Sequence, residues 1–326
     1  MIRLSSLIVF VLLLFACAKK DLVETNKNQI FGLGKNYDSL QQKIIFYTNE
    51  IKKNPEDFEL LVKRSKTYRL LNENELALND INKAIEKNPD SPEQYFQRGF
   101  IYKMTNQYDK AIEDFNYALS LDSNHVAANT EIGFSFAKLE KYDVAIKYLD
   151  KSLMLDTLRH WAYYYRGVCN FHLHKYIPAL SDFNKTIELG QKDAYIYNAR
   201  SKTYLMLNRF YESLTDVNNA IELDSGDTEL IWDKNYLTKE INSLEKLKSK
   251  IREYSFKINS GESDPELYYQ RGTTYLGMLD YIPEPKDETW NNIENDLIKY
   301  IELAPTGKNS KFANNILSAK RFKKNK

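Results

Sequence analysis

The sequence predicts an all-α chain built as an elongated array of two-helix repeats. Two observations carry that expectation. Tyr95-Phe96-Gln97-Arg98-Gly99 recurs as Tyr163-Tyr164-Tyr165-Arg166-Gly167, 68 residues later and so twice 34. At that period five units follow without a gap, 58–91, 92–125, 126–159, 160–193 and 194–227. Small residues then stand at the eighth column (Ser65, Gly99, Gly133, Gly167, Ser201) and the twentieth (Ala77, Ala111, Ala145, Ala179, Ser213), twelve apart and on separate helices, so each pair of helices can approach closely. Composition agrees: 326 residues with 43% hydrophobic and 28% charged side chains supply both a core and a polar surface. With two Cys a disulfide scaffold is excluded, and 46 Lys+Arg against 45 Asp+Glu leave no global field toward nucleic acid or an anionic membrane.

The elements follow in order. Arg3 precedes an apolar run from Leu7 to Phe15, closed by Lys19, Lys20 and Asp21. That run is too short to span a bilayer, which takes roughly 20 apolar residues, and suits the core of a secretory signal at 1–16. Leu14-Phe15-Ala16-Cys17 resembles the bacterial lipobox. The resemblance implies that Cys17 is acylated and becomes the mature N-terminus, with the rest tethered to the membrane through that lipid only. The alternative treats Ala16-Cys17-Ala18 as a small-x-small cleavage site and gives a soluble secreted protein. In either case Cys169 has no partner and reads as a small buried hydrophobe. Residues 17–36 read as a tether, and Gly32-Leu33-Gly34-Lys35 as linker, because the spacing and the following Ser or Thr of a phosphate loop are missing. Tyr37 to Lys53, ahead of Asn54-Pro55, reads as a lone helix leading the array within 37–57.

Core columns run through the five units: Tyr68, Tyr102, Phe136, Asn170 and Tyr204 at the eleventh position, and Ile81, Phe115, Leu149, Phe183 and Val217 at the twenty-fourth. Together these columns resemble the tetratricopeptide repeat, a helix-turn-helix unit. The resemblance covers 58–227 and implies a right-handed α-solenoid. Beyond Asp227 the pattern blurs, and 228–262 reads as an irregular pair of helices. Pro265 to Gly272 then repeats the motif of Pro92 to Gly99, opening a degenerate unit over 263–307 whose second helix comes nine residues late, after an insertion at Ile282 to Thr289. Residues 308–326 read as a capping helix with a basic tail.

At the seventh column stand Arg64, Arg98, Arg166 and Arg200, and sixteen residues on stand Asp80, Asp114, Asp182 and Asp216. Repeat three carries Ile132 and Tyr148 at these two positions, so Arg and Asp vanish together. In the late unit Arg271 is followed by Asp296 at a spacing of 25, the same offset lengthened by the nine inserted residues. Each Arg is therefore expected to pair with its Asp, since a guanidinium near a helix interface needs a carboxylate. Carboxylates repeated along an array have no reason to react at one place, so these are read as structural.

Chemistry is otherwise scarce. No H-E-x-x-H, G-x-S-x-G, C-x-x-C or EF-hand pattern occurs. His172 and His174 diverge on a helix and make no metal-ligand pair. No enzyme, metal or cofactor is expected. The Lys246 to Arg252 run and the Lys320 to Lys326 tail read as solvated helix faces, with contact to phospholipid or another anionic polymer as the alternative.

The resemblance implies that each first helix turns its second, fifth, ninth and twelfth positions to a concave groove. Those positions supply Phe96, Phe100 and Lys103 in repeat two, Thr130 and Phe134 in repeat three, Trp161, Tyr164, Val168 and Phe171 in repeat four, and Tyr195, Asn198 and Lys202 in repeat five. Because the core columns are filled by other residues, these are expected to be exposed and to bind a protein or peptide. Relatives that clamp a C-terminal carboxylate use Lys and Asn at specified groove positions, whereas here Val62 and Phe96 occupy the fifth position of repeats one and two, which does not fit that specificity. Binding of a glycan or small ligand on the same aromatics is the alternative. The expected setting is the envelope of a Gram-negative bacterium, at the outer membrane, where such repeat lipoproteins act as adaptors.

Overall fold

The computed structural model describes residues 37–282 and 287–324. The signal run, the Cys17 motif, the Gly32–Lys35 linker and residues 283–286 of the insertion lie outside the described residues.

Among the described residues fifteen α-helices follow one another: α1 (Tyr37–Lys53), α2 (Phe58–Leu70), α3 (Asn74–Lys87), α4 (Pro92–Met104), α5 (Tyr108–Leu121), α6 (Val126–Lys138), α7 (Tyr142–Leu155), α8 (His160–His172), α9 (Tyr176–Glu188), α10 (Ala194–Met206), α11 (Phe210–Leu223), α12 (Thr228–Asn259), α13 (Glu266–Met278), α14 (Asp287–Leu303) and α15 (Ser310–Lys324), with a 3₁₀ turn at Leu279–Tyr281. Among the same residues there is no strand. The chain divides into two compact units, one ending at Ala199 and one beginning at Arg200. Each is a solenoid of consecutive helix pairs.

Local chemistry sets the helix ends. Asp57 accepts from the backbone N–H groups of Glu59 and Leu60 at the start of α2, Asp227 from Glu229 at the start of α12, and Pro92 occupies the first turn of α4. The turn between the two helices of each repeat is a left-handed residue at the fifteenth column, Asn72, Asn106, Glu140, His174 and Asn208, with φ between 53° and 62°. The residue after it donates its N–H back to the eleventh-column carbonyl at 2.8 to 2.9 Å, which closes the helix end.

Packing within each pair follows the small columns. A Cβ on Gly133 would lie 2.5 Å from Leu149 Cγ, and one on Gly99 2.8 Å from the Phe115 ring. Where the eighth column is Ser, the hydroxyl is used: Ser65 donates to the Ala77 carbonyl at 2.8 Å, and Ser201 to that of Ser213 at 3.0 Å. Ala77, Ile81, Ala111, Phe115, Ala145, Leu149, Ala179, Phe183 and Val217 are all buried. Cys169 is buried too, and burial pushes its thiol up to about 12.

Residues 228–259 correct the expectation of a helix pair: they form one helix of 32 residues, roughly 48 Å long. Leu230, Leu237, Ile241, Leu244 and Leu247 keep the helical spacing across the stretch where earlier repeats turn, and no Gly or Pro interrupts them. Tyr281, at the end of the 3₁₀ turn just before the insertion, is buried in a cluster with Phe210, Val217, Leu237 and Leu244. In α15, Ala313 joins Ile293, Leu297 and Tyr300 of α14 in a core cluster, while Asn309 donates its N–H to the Tyr300 hydroxyl at 3.2 Å.

Candidate partner-binding face

The charged columns make forks. Arg64 meets Asp80 through Nε and Nη2 at 2.6 and 2.8 Å, Arg98 meets Asp114 at 2.8 and 2.7 Å, and Arg166 meets Asp182 at 3.0 and 2.7 Å. In the second unit Arg200 meets Asp216 at 2.7 and 2.7 Å, and Arg271 meets Asp296 at 2.9 and 2.7 Å. The bidentate geometry satisfies carboxylates that are almost wholly buried. Hydrogen bonding to Asp114 holds the Arg98 guanidinium above its ordinary value, while burial pushes the Asp182 carboxyl up against the opposing pull of Arg166.

The remaining nitrogen reaches a third group that the residue columns do not announce. Nη1 donates to Thr48 from Arg64 (3.0 Å), to Asn82 from Arg98 (3.1 Å), to Asp150 from Arg166 (2.6 Å) and to Ser255 from Arg271 (3.0 Å). Each acceptor lies sixteen residues back, on the helix preceding that repeat. One side chain thus ties its own helix pair together and fastens it to the helix before. In repeat three, Ile132 is buried and Tyr148 stacks on Phe136 at 5.6 Å.

The inner stripe of first helices differs from expectation, because much of it is core. Phe134 is 2% and Tyr164 1% exposed, and both join Val168 in one buried cluster. Thr130 is buried with its hydroxyl 2.7 Å from that of Ser152, and Asn198 is also buried. Lys103 is buried against Glu131 at 2.8 Å, its ammonium 3.8 Å from the Phe100 ring centre and 4.9 Å from that of Phe134. In the second unit Lys202 is buried and bonds Glu229 at 3.0 Å. The physical reason is stacking: the first helix of each repeat lies close to the next, so positions assigned to an open groove are covered by the neighbouring repeat's side chains.

Half-buried rings remain. Trp161 stacks on Tyr165 at 5.6 Å and lies parallel to Tyr195 at 6.2 Å and 4°, while Tyr164 meets Tyr195 edge-on at 5.2 Å. Phe96 packs on Phe115 at 5.5 Å and on the His125 ring at 4.8 Å, and Phe171 meets Tyr176 at 5.6 Å. The Arg69 guanidinium lies 4.6 Å over Phe100, and burial lowers its pKa against the opposing influence of Glu131 and Glu93. Two buried polar atoms here, Arg69 Nε and Asn198 Oδ1, have no hydrogen-bond partner.

Ion pairs linking successive first helices were missed from sequence, although a signal was present. Lys66 bonds Glu93 at 2.7 Å, and the same Lys-to-Glu offset of 27 recurs at Lys202 and Glu229. Among the described residues no group of three or more His, Cys, Asp or Glu could hold a metal, and no helix is long and apolar enough to cross a membrane.

Residues 92–125 match the tetratricopeptide repeat (TPR) family. Among solved structures, the Cut9–Hcn1 hetero-tetramer of APC/C matches 86% of this chain and 46% of its own at 14% identity, with a TM-score of 0.52. YrrB, a TPR protein with an unusual peptide-binding site, matches 58% of this chain and 97% of its own at 23% identity and a TM-score of 0.47. A tetratricopeptide repeat protein from Parabacteroides merdae matches 80% and 97% at 19% identity and a TM-score of 0.47. No curated protein matches the sequence. The second repeat of the array is therefore a tetratricopeptide repeat, and the fold is that of the tetratricopeptide solenoids.

Proposed function

We propose that this chain is a lipid-anchored tetratricopeptide adaptor of the Gram-negative cell envelope, held at the outer membrane, which binds an extended protein or peptide along the inner face of its first unit. The observation that carries the binding is the set of half-buried rings left on the first helices, Phe100 under the Arg69 guanidinium and Trp161 parallel to Tyr195. Rings supply contact area at low entropic cost, and aromatic and Arg side chains are the usual anchors of a bound protein segment. The anchor rests on Leu14-Phe15-Ala16-Cys17, and a diacylated Cys carries more than one chain, enough for stable attachment.

Affinity capture from an envelope extract tests the binding. Trp161→Ala and Phe100→Ala should each weaken capture by about 2 kcal/mol with helix content unchanged; capture at wild-type strength by both variants would sink the assignment. Cys17→Ser should release the chain to the soluble fraction, and an unacylated wild-type N-terminus would favour the secreted alternative. A second reading, a glycan ligand, draws on the parallel Trp161 and Tyr195 rings, which suit a sugar face. Binding to a glycan array, with no response on a peptide array, would select it.

A further inference from the structure

The solvent side of α12 carries more positive than negative charge toward its C-terminal end. From Lys246 to Lys257 five cations stand against one acid, Glu253, and Lys257 holds that acid at 2.8 Å. Glu245, just before, is held by Lys248 at 2.9 Å and by the Tyr211 hydroxyl. Lys246, Lys250 and Arg252 are exposed and, among the described residues, make no ion pair, and the same holds for Lys234 and Lys239 further up the helix. Their spacing sorts them: at 100° per residue Lys239, Lys246 and Lys250 fall in one row and Lys234 and Arg252 in another, on either side of Phe256. Phe256 is 75% exposed. It is no displaced core residue, since Leu230, Leu237 and Leu244 fill a different, buried side.

We propose that this ridge docks α12 on an anionic phospholipid surface, Phe256 entering the headgroup region and Lys246, Lys250 and Arg252 held by lipid phosphates. The pairing of features selects the occupant. A dissolved polyanion would satisfy the cations and leave the Phe256 ring in water, whereas the boundary of a bilayer takes an apolar body and flanking cations together. Lys239 to Phe256 spans roughly 26 Å along the axis, and the two rows lie about 140° apart around it with Phe256 between them, so long cationic side chains flank the ring on both sides of the face it presents. This contact is separate from the Cys17 lipid and is reversible, so it orients the chain on the surface without by itself retaining a chain that lacks the lipid.

The test uses the full chain with Cys17→Ser and Ser249→Cys, labelled at residue 249 with an environment-sensitive nitrobenzoxadiazole. The buried Cys169 thiol does not compete for label. The label, exposed on the ridge, should shift to the blue on vesicles of phosphatidylcholine mixed with phosphatidylglycerol and stay unchanged on phosphatidylcholine alone. Each neutralised cation should weaken the response about fivefold, so Lys246→Gln, Lys250→Gln and Arg252→Gln combined should lose about a hundredfold. Phe256→Ser should keep the salt-sensitive binding and lose the blue shift. The same shift on neutral vesicles, a triple variant that binds like wild type, a Phe256→Ser chain that keeps the full shift, or an equal shift with polyglutamate or single-stranded DNA would overturn the proposal.

Discussion

Arg98 and Asp114 face each other across a helix pair through two parallel hydrogen bonds of 2.8 and 2.7 Å, and the third nitrogen of Arg98 reaches back to Asn82. Repeat three fills the same two positions with Ile132 and Tyr148, a substitution the fold already accommodates. Arg98→Ile and Asp114→Tyr should each destabilise the chain by about 3 to 5 kcal/mol, because each strands a buried partner. Made together they should recover most of that loss, the new Tyr stacking on Tyr102 as Tyr148 does on Phe136. Chemical denaturation of the two single variants and the double reads the coupling; additive losses would mean the forks do not act as pairs.

Phe134 lies against Tyr165 at 4.9 Å in the core of the first unit. Phe134→Ala should therefore lower unfolding stability by about 3 to 5 kcal/mol, the usual cost of emptying a packed aromatic site. Trp161→Ala, at a half-buried position, should cost less than that. A thermal melt that ranks them the other way round would contradict the burial described for this face.

Two glycines should respond oppositely to alanine. Gly133→Ala places its methyl 2.5 Å from Leu149 Cγ and should destabilise by about 1 to 3 kcal/mol. Gly277 sits in α13, where an added methyl would meet Leu247 Cδ2 at an ordinary 3.8 Å, so Gly277→Ala should stabilise by up to about 1 kcal/mol through helix propensity. Paired melting curves decide both.

His172 stacks on Tyr142 at 4.7 Å and 2°, and burial lowers its pKa below the ordinary 6.5. Burial lowers His160 likewise. The native imidazoles refuse a proton that the unfolded chain accepts, so the stability they support is whole above pH 6.5 and declines as the pH falls through that value. His172→Phe should flatten part of the slope in a series of melts from neutral to mildly acidic buffer. An unchanged slope would assign the acid sensitivity to other groups.

The Arg–Asp forks were legible from sequence because one residue type recurs at a constant offset. Their third contacts were not, since Thr48, Asn82, Asp150 and Ser255 share polarity but no residue type. The fate of the inner stripe was hidden for another reason. Whether Tyr164 or Phe134 meets water depends on how closely one repeat stacks on the next, and a column of residue types carries no record of that distance. The unbroken α12 was equally hard to foresee: the apolar spacing through Ile241 and Leu244 fits both a turn and its absence, and only the lack of a left-handed residue between them decided for the helix.

The backward reach of each Arg makes the first unit a row of coupled links, and one link has a different chemistry. At repeat three Ile132 offers no guanidinium, Asn116 at the matching acceptor position is left in solvent, and the buried Lys103–Glu131 pair ties the two repeats from the inner side. In nearest-neighbour terms this is a seam. Under mild denaturant or an applied pull the stack should part first between His125 and Val126, leaving the segments on either side as separately protected blocks of slowly exchanging amides.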